Sequence, residues 1–535
     1  MLISSLETYK YLYRLHIFLT ILVKLTTYAE KMEATMRRRS TKQKNHPTFP
    51  LTLSELRQTL DSELINSQDL SFTVYKRANK KVAVFYIPYL VDQQKVEQLA
   101  LQSLLDMQTE WTSDTILSEI PLALGKKDSD ISSIIKKVTE GRICIYVEQE
   151  NEAITYELAK SEKRGIEKAE TESIVIGPQI ALTESLASNL NLLNMRVNIP
   201  DLAMERIDVG KRNPKETRMI YIQSIANETD VNTMRQRLSE LEVDMIEDIH
   251  MLKQYILDSS FSVFPQYVSS ELVDRSVYSL KEGKIVVLIE DSPLALIAPS
   301  TFFSFFESTE DRYFHWELST FIRILRFIAA FVTILLTPMY VVATTFHFEL
   351  IPSQLLVTLG ESRAIVPFPP IIEVILLELI IELLREAGAR LPTKVGQTIG
   401  IVGGVVVGTA AVQAGITSNI LIILVTLSAL ASFSTPNYIM GNTIRLIRFP
   451  LIILAAYYGI IGLMFGICLL IIHLIRLQSL GRPYLAPLYP LRLADFNKVF
   501  FRLPEQYQGK RFLSYRLKDR RLFNRREATK KKDTY

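Results

Sequence analysis

The chain has 535 residues, 48% of them hydrophobic and 22% charged, with a formal net charge of +4 and a mean hydropathy of +0.16. Its length allows several domains. Its two cysteines, Cys144 and Cys468, exclude a disulfide framework or a cysteine-built zinc site and fit a reducing compartment. The charge is uneven: residues 476–535 hold 16 Lys/Arg against 5 Asp/Glu, a surplus of 11 that leaves the preceding part at −7.

Residues 1–48 read as a leader, either disordered or begun too far upstream. The apolar run Leu12–Val23 is broken by Arg14 and His16 and is too short to cross a bilayer, and Met32 and Met36 are alternative starts. Residues 49–158 form a first α/β subdomain. SFTVYKR and VAVFYIP are β-rich runs joined at Ala78–Lys81 as a hairpin. Val96, Leu99, Ala100, Leu104 and Met107 follow a helical period, Ile131–Val138 is a shorter helix, and RICIYVEQ and ITYELA are paired strands. Residues 159–172, charged and without apolar periodicity, are the linker. Residues 173–320 form a second subdomain that opens with SIVIGP, a strand ended by Gly177–Pro178, and a helix with Thr183 as its N-cap. Strands AMERIDVG and TRMIYIQSI, helices near Val231–Leu241 and Met245–Leu257, and the hairpin KIVVLIEDSPLALIAP, turning at Asp291–Ser292–Pro293, complete it. Tyr313 and Trp316 then suit a membrane interface.

Residues 321–475 read as a membrane domain of five apolar segments: Phe327–Phe346, Pro370–Leu384, Gly396–Ala414, Ile416–Phe433 and Phe449–Ile475. Arg323 and Arg326 before the first segment, and the basic tail 476–535 after the last, place both ends in the cytosol next to anionic lipid rather than nucleic acid. Five full crossings would separate them. One segment therefore stops short, and the second, with about 15 apolar-flanked residues against the roughly 20 a span needs, is the first suspect. The fold class expected is multi-domain: a cytosolic α/β region of two subdomains, an all-α polytopic membrane domain and a basic C-terminal tail.

The chemistry concentrates in the second segment, which carries Glu373, Glu378 and Glu382. A carboxylate in lipid costs at least about 2.5–3.5 kcal/mol, so three of them need protection. Glu378 and Glu382 fall about 40° apart on one helix face, and Glu373 lies nearly opposite Glu382. Two readings stay open: ion pairs with Arg385, Arg390 and Lys394, or a carboxylate ring around a cation path in an assembly of several copies. Gly396, Gly400, Gly404 and Gly408, spaced by four, form a ridge on which another helix can pack closely. No Walker loop, HExxH, GxSxG or cysteine–histidine cluster is present, so no enzyme, metal or cofactor is expected.

Several long runs resemble one family. They are IGPQIALTESLASNLNLL, GKIVVLIEDSPLALIAPSTFFSFFES, ESRAIVPFPPIIEVILLELIIELLREAGARLPTKVGQTIGIVGG, LASFSTPNY and SLGRPYLAPLYP. Over Ser173 to Arg492 the chain resembles the A subunit of the GerA-family germinant receptors of bacterial spores. It departs from the family at Ile176–Leu182, where many members have an Arg-Gly-Pro-Arg-Glu-Gly-Phe type run. It also has Thr409 where a glutamine is common, and Asp291 where a turn glycine is usual. The resemblance implies a multi-pass protein of the spore inner membrane that works with a transporter-like B subunit and a lipoprotein C subunit. It further implies a ring-shaped homo-oligomeric channel, with nutrient binding leading to release of monovalent cations. A non-conducting scaffold that couples a nutrient-binding partner to germination is the second reading, and a stand-alone transporter the third. Transporters often carry inverted repeats, and no repeat is visible here.

Overall fold

Two runs of strand residues with a period of two organise the first unit, because alternate side chains of a strand face opposite layers. The structure, a computed structural model, describes residues 49–524 except 78–79, 123–124, 161–168, 170–171, 173 and 391–407. The first unit comprises α1 (Leu53–Glu63), β1 (Ser71–Arg77), β2 (Lys80–Tyr86), a helical run over 93–106, α2 (Ser113–Glu119), β3 (Lys126–Asp128), α3 (Ile131–Thr139), β4 (Arg142–Val147) and β5 (Ala153–Glu157). The sheet is antiparallel in the order β1-β2-β4-β5-β3. Val82, Val84, Ile143 and Ile145 pack with Val96, Ala100 and Leu104 on one face. Ala83, Phe85, Cys144 and Tyr146 pack with Leu56 and Leu60 of α1 and Ile134 and Val138 of α3 on the other.

The second unit comprises α4 (Leu186–Val197), β6 (Leu202–Val209), β7 (Lys215–Ile222), α5 (Glu228–Ser239), α6 (Ile249–Ile256), β8 (Val268–Ser270), α7 (Val273–Lys281), β9 (Ile285–Ile289) and β10 (Ala295–Ala298). Its sheet order is β6-β7-β9-β10-β8. In both units the strands therefore stand first, second, fourth, fifth, third, with helices at corresponding places. One topology is used twice, a repeat that the side chains alone did not reveal. Two local expectations are corrected. The cap of α4 is Ser185, whose hydroxyl accepts the Ser188 N–H at 3.4 Å, whereas Thr183 donates its own N–H to Asn189 Oδ1 at 2.8 Å. Val175 to Gly177 bend instead of forming a strand, and the Val175 N–H is held by Glu310. Most of the expected linker, 159–172, lies outside the described residues.

The units meet through a buried joint. Asn66 Nδ2 donates to the Leu202 carbonyl at 2.9 Å and its Oδ1 accepts the Met204 N–H at 2.7 Å. Beside it Arg218 of β7 reaches Asp69 at 2.7 Å, with side chains only 6% and 7% exposed, and Glu216 at the same distance.

Among the described residues, two helices are long and apolar enough to cross a membrane: α8 (Trp316–Thr345) and α12 (Tyr438–Arg476). Between them lie α9 (Ser353–Arg363), α10 (Pro370–Arg390) and α11 (Asn419–Ser432). The 39 residues of α12 are not one rod. At Gly459 the backbone takes φ 61° and ψ −142°, open only to glycine, and the chain doubles back. Thr443 on the first arm bonds the Val263 carbonyl at 3.0 Å, and His473 on the second meets Ser262 at 2.9 Å. Both arms thus start and finish at the α/β end, while Gly459 lies against Phe346 at the far end of α8. Gly462 and Gly466 let the arms touch, since a Cβ there would strike Leu454 and Leu451 of the first arm.

The same ladder orients the rest. Ser418 at the start of α11 meets Tyr340 at 3.3 Å near the far end, and Ser428 meets Thr333 lower down. Arg385 near the end of α10 reaches Ser432 near the end of α11 at 2.9 Å, so these two helices run in the same direction toward the α/β end. The expected single segment Phe449–Ile475 is therefore wrong: it lies across the Gly459 turn and belongs to two antiparallel arms. Beyond them the basic segment packs as part of the second unit. Arg482 pairs with Asp230 at 2.7 Å, Tyr484 donates to the Pro265 carbonyl at 2.7 Å, and α13 (Leu493–Phe500) packs beside α8.

Two outcomes follow from these joints. Arg218→Ala strands Asp69 in a buried site and should cost about 3–5 kcal/mol. Thermal unfolding should then separate the two units into distinct transitions, and a single unshifted transition would refute the joint. Gly459→Val should lower membrane-assembled protein sharply, whereas Gly360→Ala, whose added Cβ meets nothing, should leave it unchanged.

Candidate functional site

The glutamates of α10 occupy three heights in the bundle. Glu373, 1% exposed, caps α11: its Oε1 accepts the Ser418 N–H at 2.6 Å and the Thr417 hydroxyl at 3.2 Å. An anion suits that place because the first N–H groups of a helix lack partners within it. Arg363 of α9 stands 3.7 Å from the other oxygen.

Glu378 lies deeper, fully buried, and forms a close ion pair with Arg448 on the first arm of α12. Arg448 is itself 1% exposed and donates a second hydrogen bond to Ser428 Oγ at 2.9 Å. One turn along α10, Glu382 is held by Arg445 at 3.1 Å, Arg448 at 3.7 Å and Arg385 at 4.0 Å. Arg385 also covers the Phe433 ring at 4.3 Å. Two carboxylates thus face three guanidiniums from two helices in an apolar bundle.

Of the ion-pair candidates named from sequence, Arg385 joins the cluster. Arg390 does not; it pairs with Glu386 at 2.6 Å on the exposed side of its own helix. Lys394 lies outside the described residues, as do Gly396, Gly400 and Gly404. Gly408 is described, and among the described residues a Cβ there would meet nothing within 4 Å. The principal partners, Arg445 and Arg448, were missed. Their signal was present: two arginines three apart in an apolar run share one helix face, as Glu378 and Glu382, four apart, share theirs. Among the described residues no group of three or more His, Cys, Asp or Glu could hold a metal ion.

A second charge cluster ties the bundle to the α/β region. Asp311, 1% exposed, receives Arg326 at 2.8 Å and Arg323 at 3.1 Å, both from the first turns of α8. The Lys498 carbonyl accepts from Arg323 at 2.7 Å. These arginines, read from sequence as flanking charges, are buried and neutralised by an acid of the second unit.

Twin antiparallel α/β units joined by buried charge to an apolar helical bundle define a two-part protein, a head and a bundle, and one apolar cluster runs from a face of the second unit into the bundle. The family model described as Bacillus/Clostridium GerA spore germination protein matches residues 58–513, and the chain belongs to that family. It is 40% identical over 476 residues to the spore germination protein GerQA of Bacillus cereus, covering 89% of this chain and 95% of that one. It is 31% identical to the uncharacterized membrane protein YfkQ of Bacillus subtilis (strain 168), covering 79% and 83%. A crystal structure of the N-terminal domain of the A subunit of the Bacillus megaterium spore germinant receptor GerK3 aligns with 48% of this chain and 99% of that one. Its identity is 22% and its TM-score 0.38, too low to equate the folds. Membership gives the turn at Asp291 a physical meaning. This residue adopts φ 59°, where the resemblance leads one to expect glycine.

Glu378→Gln leaves Arg448 buried without its carboxylate and should reduce membrane-assembled protein, since breaking one side of a buried pair costs about 3–5 kcal/mol. Neutralising both, Glu378→Gln with Arg448→Met, should recover much of the loss. Equal abundance of the single variant and wild type on membrane immunoblots would show that the pair has no structural role.

Proposed function

We propose that the chain is the A subunit of a spore nutrient germinant receptor, a multi-pass protein of the spore inner membrane. Membership of the GerA spore germination family is the observation that carries this reading. In it the chain works with a transporter-like B subunit and a lipoprotein C subunit. Copies of it assemble around a cation path that nutrient sensing opens, and the chain itself catalyses no reaction.

The double-armed α12 supports a membrane reading with both ends on one side. If α8, α10, the segment expected from sequence at Gly396–Ala414, α11 and the two arms of α12 each cross, the number is even. The α/β units and the C-terminal segment then share the cytosol without any segment stopping short. Cysteine substitutions at Lys126 and Lys518 should resist an impermeant reagent applied from outside, and one at Glu349, at the far end, should react. Labelling of Lys126→Cys or Lys518→Cys would overturn the orientation.

The non-conducting scaffold stays in play because of one observation. Glu378 and Glu382, the carboxylates expected to attract cations, are occupied by Arg445 and Arg448 of the same chain. A cation path in an assembly would then run along another surface, or open when these pairs part. Purified chain in liposomes, alone and with its partners, separates the readings by potassium flux. The channel reading expects nutrient-dependent flux from the full receptor. Absence of flux in every combination, with germination signalling intact in spores, would leave the scaffold.

A further inference from the structure

A cavity of about 520 Å³ lies where the second unit, the first turns of α8 and the returning C-terminal segment meet, a volume suited to a small molecule. Glu282 after α7, Glu307 and Arg312 before α8, and Lys498 on α13 line it, with Tyr278 as an aromatic wall. Glu282 is 6% exposed, and its Oε2 has no hydrogen-bond partner. Arg312 lies over the Tyr278 ring at 2.9 Å from the centroid. Among the described residues, no ion pair reaches Glu282, Glu307, Arg312 or Lys498. Among the described residues the Lys498 ammonium meets the Lys510 carbonyl and the Phe512 ring. Burial pushes the Glu282 carboxyl up and the Lys498 ammonium down, as expected where charge is desolvated without a partner.

Buried charge held this way is costly unless a counter-charge arrives. The balance at the wall gives its sign. Asp311 is already taken by Arg323 and Arg326, and Arg502 by Glu505. What remains is Arg312 and Lys498 inside with Lys510 and Arg521 at the mouth, against Glu282 and Glu307. Cations are in excess.

We propose that this cavity binds a small phosphate-bearing dianion, with Arg312 and Lys498 as its charge partners. Arginine offers a forked donor and lysine a point charge to phosphate oxygens. The bound anion clamps residues 493–524 onto the second unit where both meet α8. Its phosphate comes either from a soluble organic phosphate or from an anionic lipid headgroup, since the cavity adjoins the foot of α8.

Inorganic pyrophosphate serves as the probe, titrated calorimetrically into the full-length chain in nanodiscs of phosphatidylcholine, and again with phosphatidylglycerol included. Binding should fall about tenfold or more in Arg312→Gln or Lys498→Gln, given the usual strength of charge-assisted hydrogen bonds. Because Arg312→Gln could disturb folding, the exposed pair Lys510→Gln with Arg521→Gln provides a second reading, a weaker but measurable loss. Glu282→Gln, which removes negative charge from the wall, should bind equally or more tightly, and the distant Lys211→Gln should match wild type. Competition by phosphatidylglycerol assigns the site to lipid, and indifference to it assigns the site to a soluble phosphate. No heat of binding in wild type, unchanged affinity in both Arg312→Gln and Lys498→Gln, or loss of binding in Glu282→Gln would overturn the proposal.

Discussion

Charge removed from water must be matched within the fold, and in this protein that requirement governs every large joint. Asp69 and Arg218 close the seam between the two α/β units. Asp311 with Arg323 and Arg326 joins the second unit to α8. Glu378 and Arg448 link α10 to α12 in the bundle. The first and third unite segments far apart in sequence, the second fixes the head against the helix that follows it, and each has both partners almost fully desolvated. Such pairs add little net stability over apolar packing, but they punish misassembly, because an acid docked in the wrong place stays unpaired. The joints therefore act chiefly as selectors of arrangement.

That view also relates the head to the bundle. Asp311 lies just before α8, and its two arginines occupy the first turns of that helix, so the bundle's longest unbroken helix begins inside the head. The C-terminal segment closes the circuit: Arg482, Tyr484 and Arg511 grip the second unit after the last arm of α12 has returned. A displacement in either part thus meets both ends of the bundle at once. The head grips the bundle both at its first helix and after its last arm.

Much of the head was legible in the sequence, because its central strands are continuous β-branched runs and its longer helices have clear periods. Strands β3 and β8, three residues each, were not, since they are too short for alternation to register. The repeated topology escaped notice because it is kept by element order and not by matching side chains. In the bundle the glutamates were conspicuous, but Arg445 and Arg448, the principal partners of Glu378 and Glu382, are more than sixty residues downstream, where no local pattern assigns a contact. The crossing puzzle was soluble in principle: the apolar stretch around Gly459 is too long for one span, and length alone should have suggested a fold in it. What sequence could not supply was that a single glycine is the whole connection.

Gly459 has a consequence for biogenesis. On the proposed membrane reading, the absence of a polar loop between its arms leaves nothing to hold back at the far surface, so neither arm is committed to the bilayer in isolation. On that reading the two arms enter as one folded wedge, with Gly462 and Gly466 already against Leu454 and Leu451. Assembly of this region is then a docking event between a prefolded hairpin and α8, and its orientation is settled by the arm that carries Arg445 and Arg448 finding the carboxylates of α10.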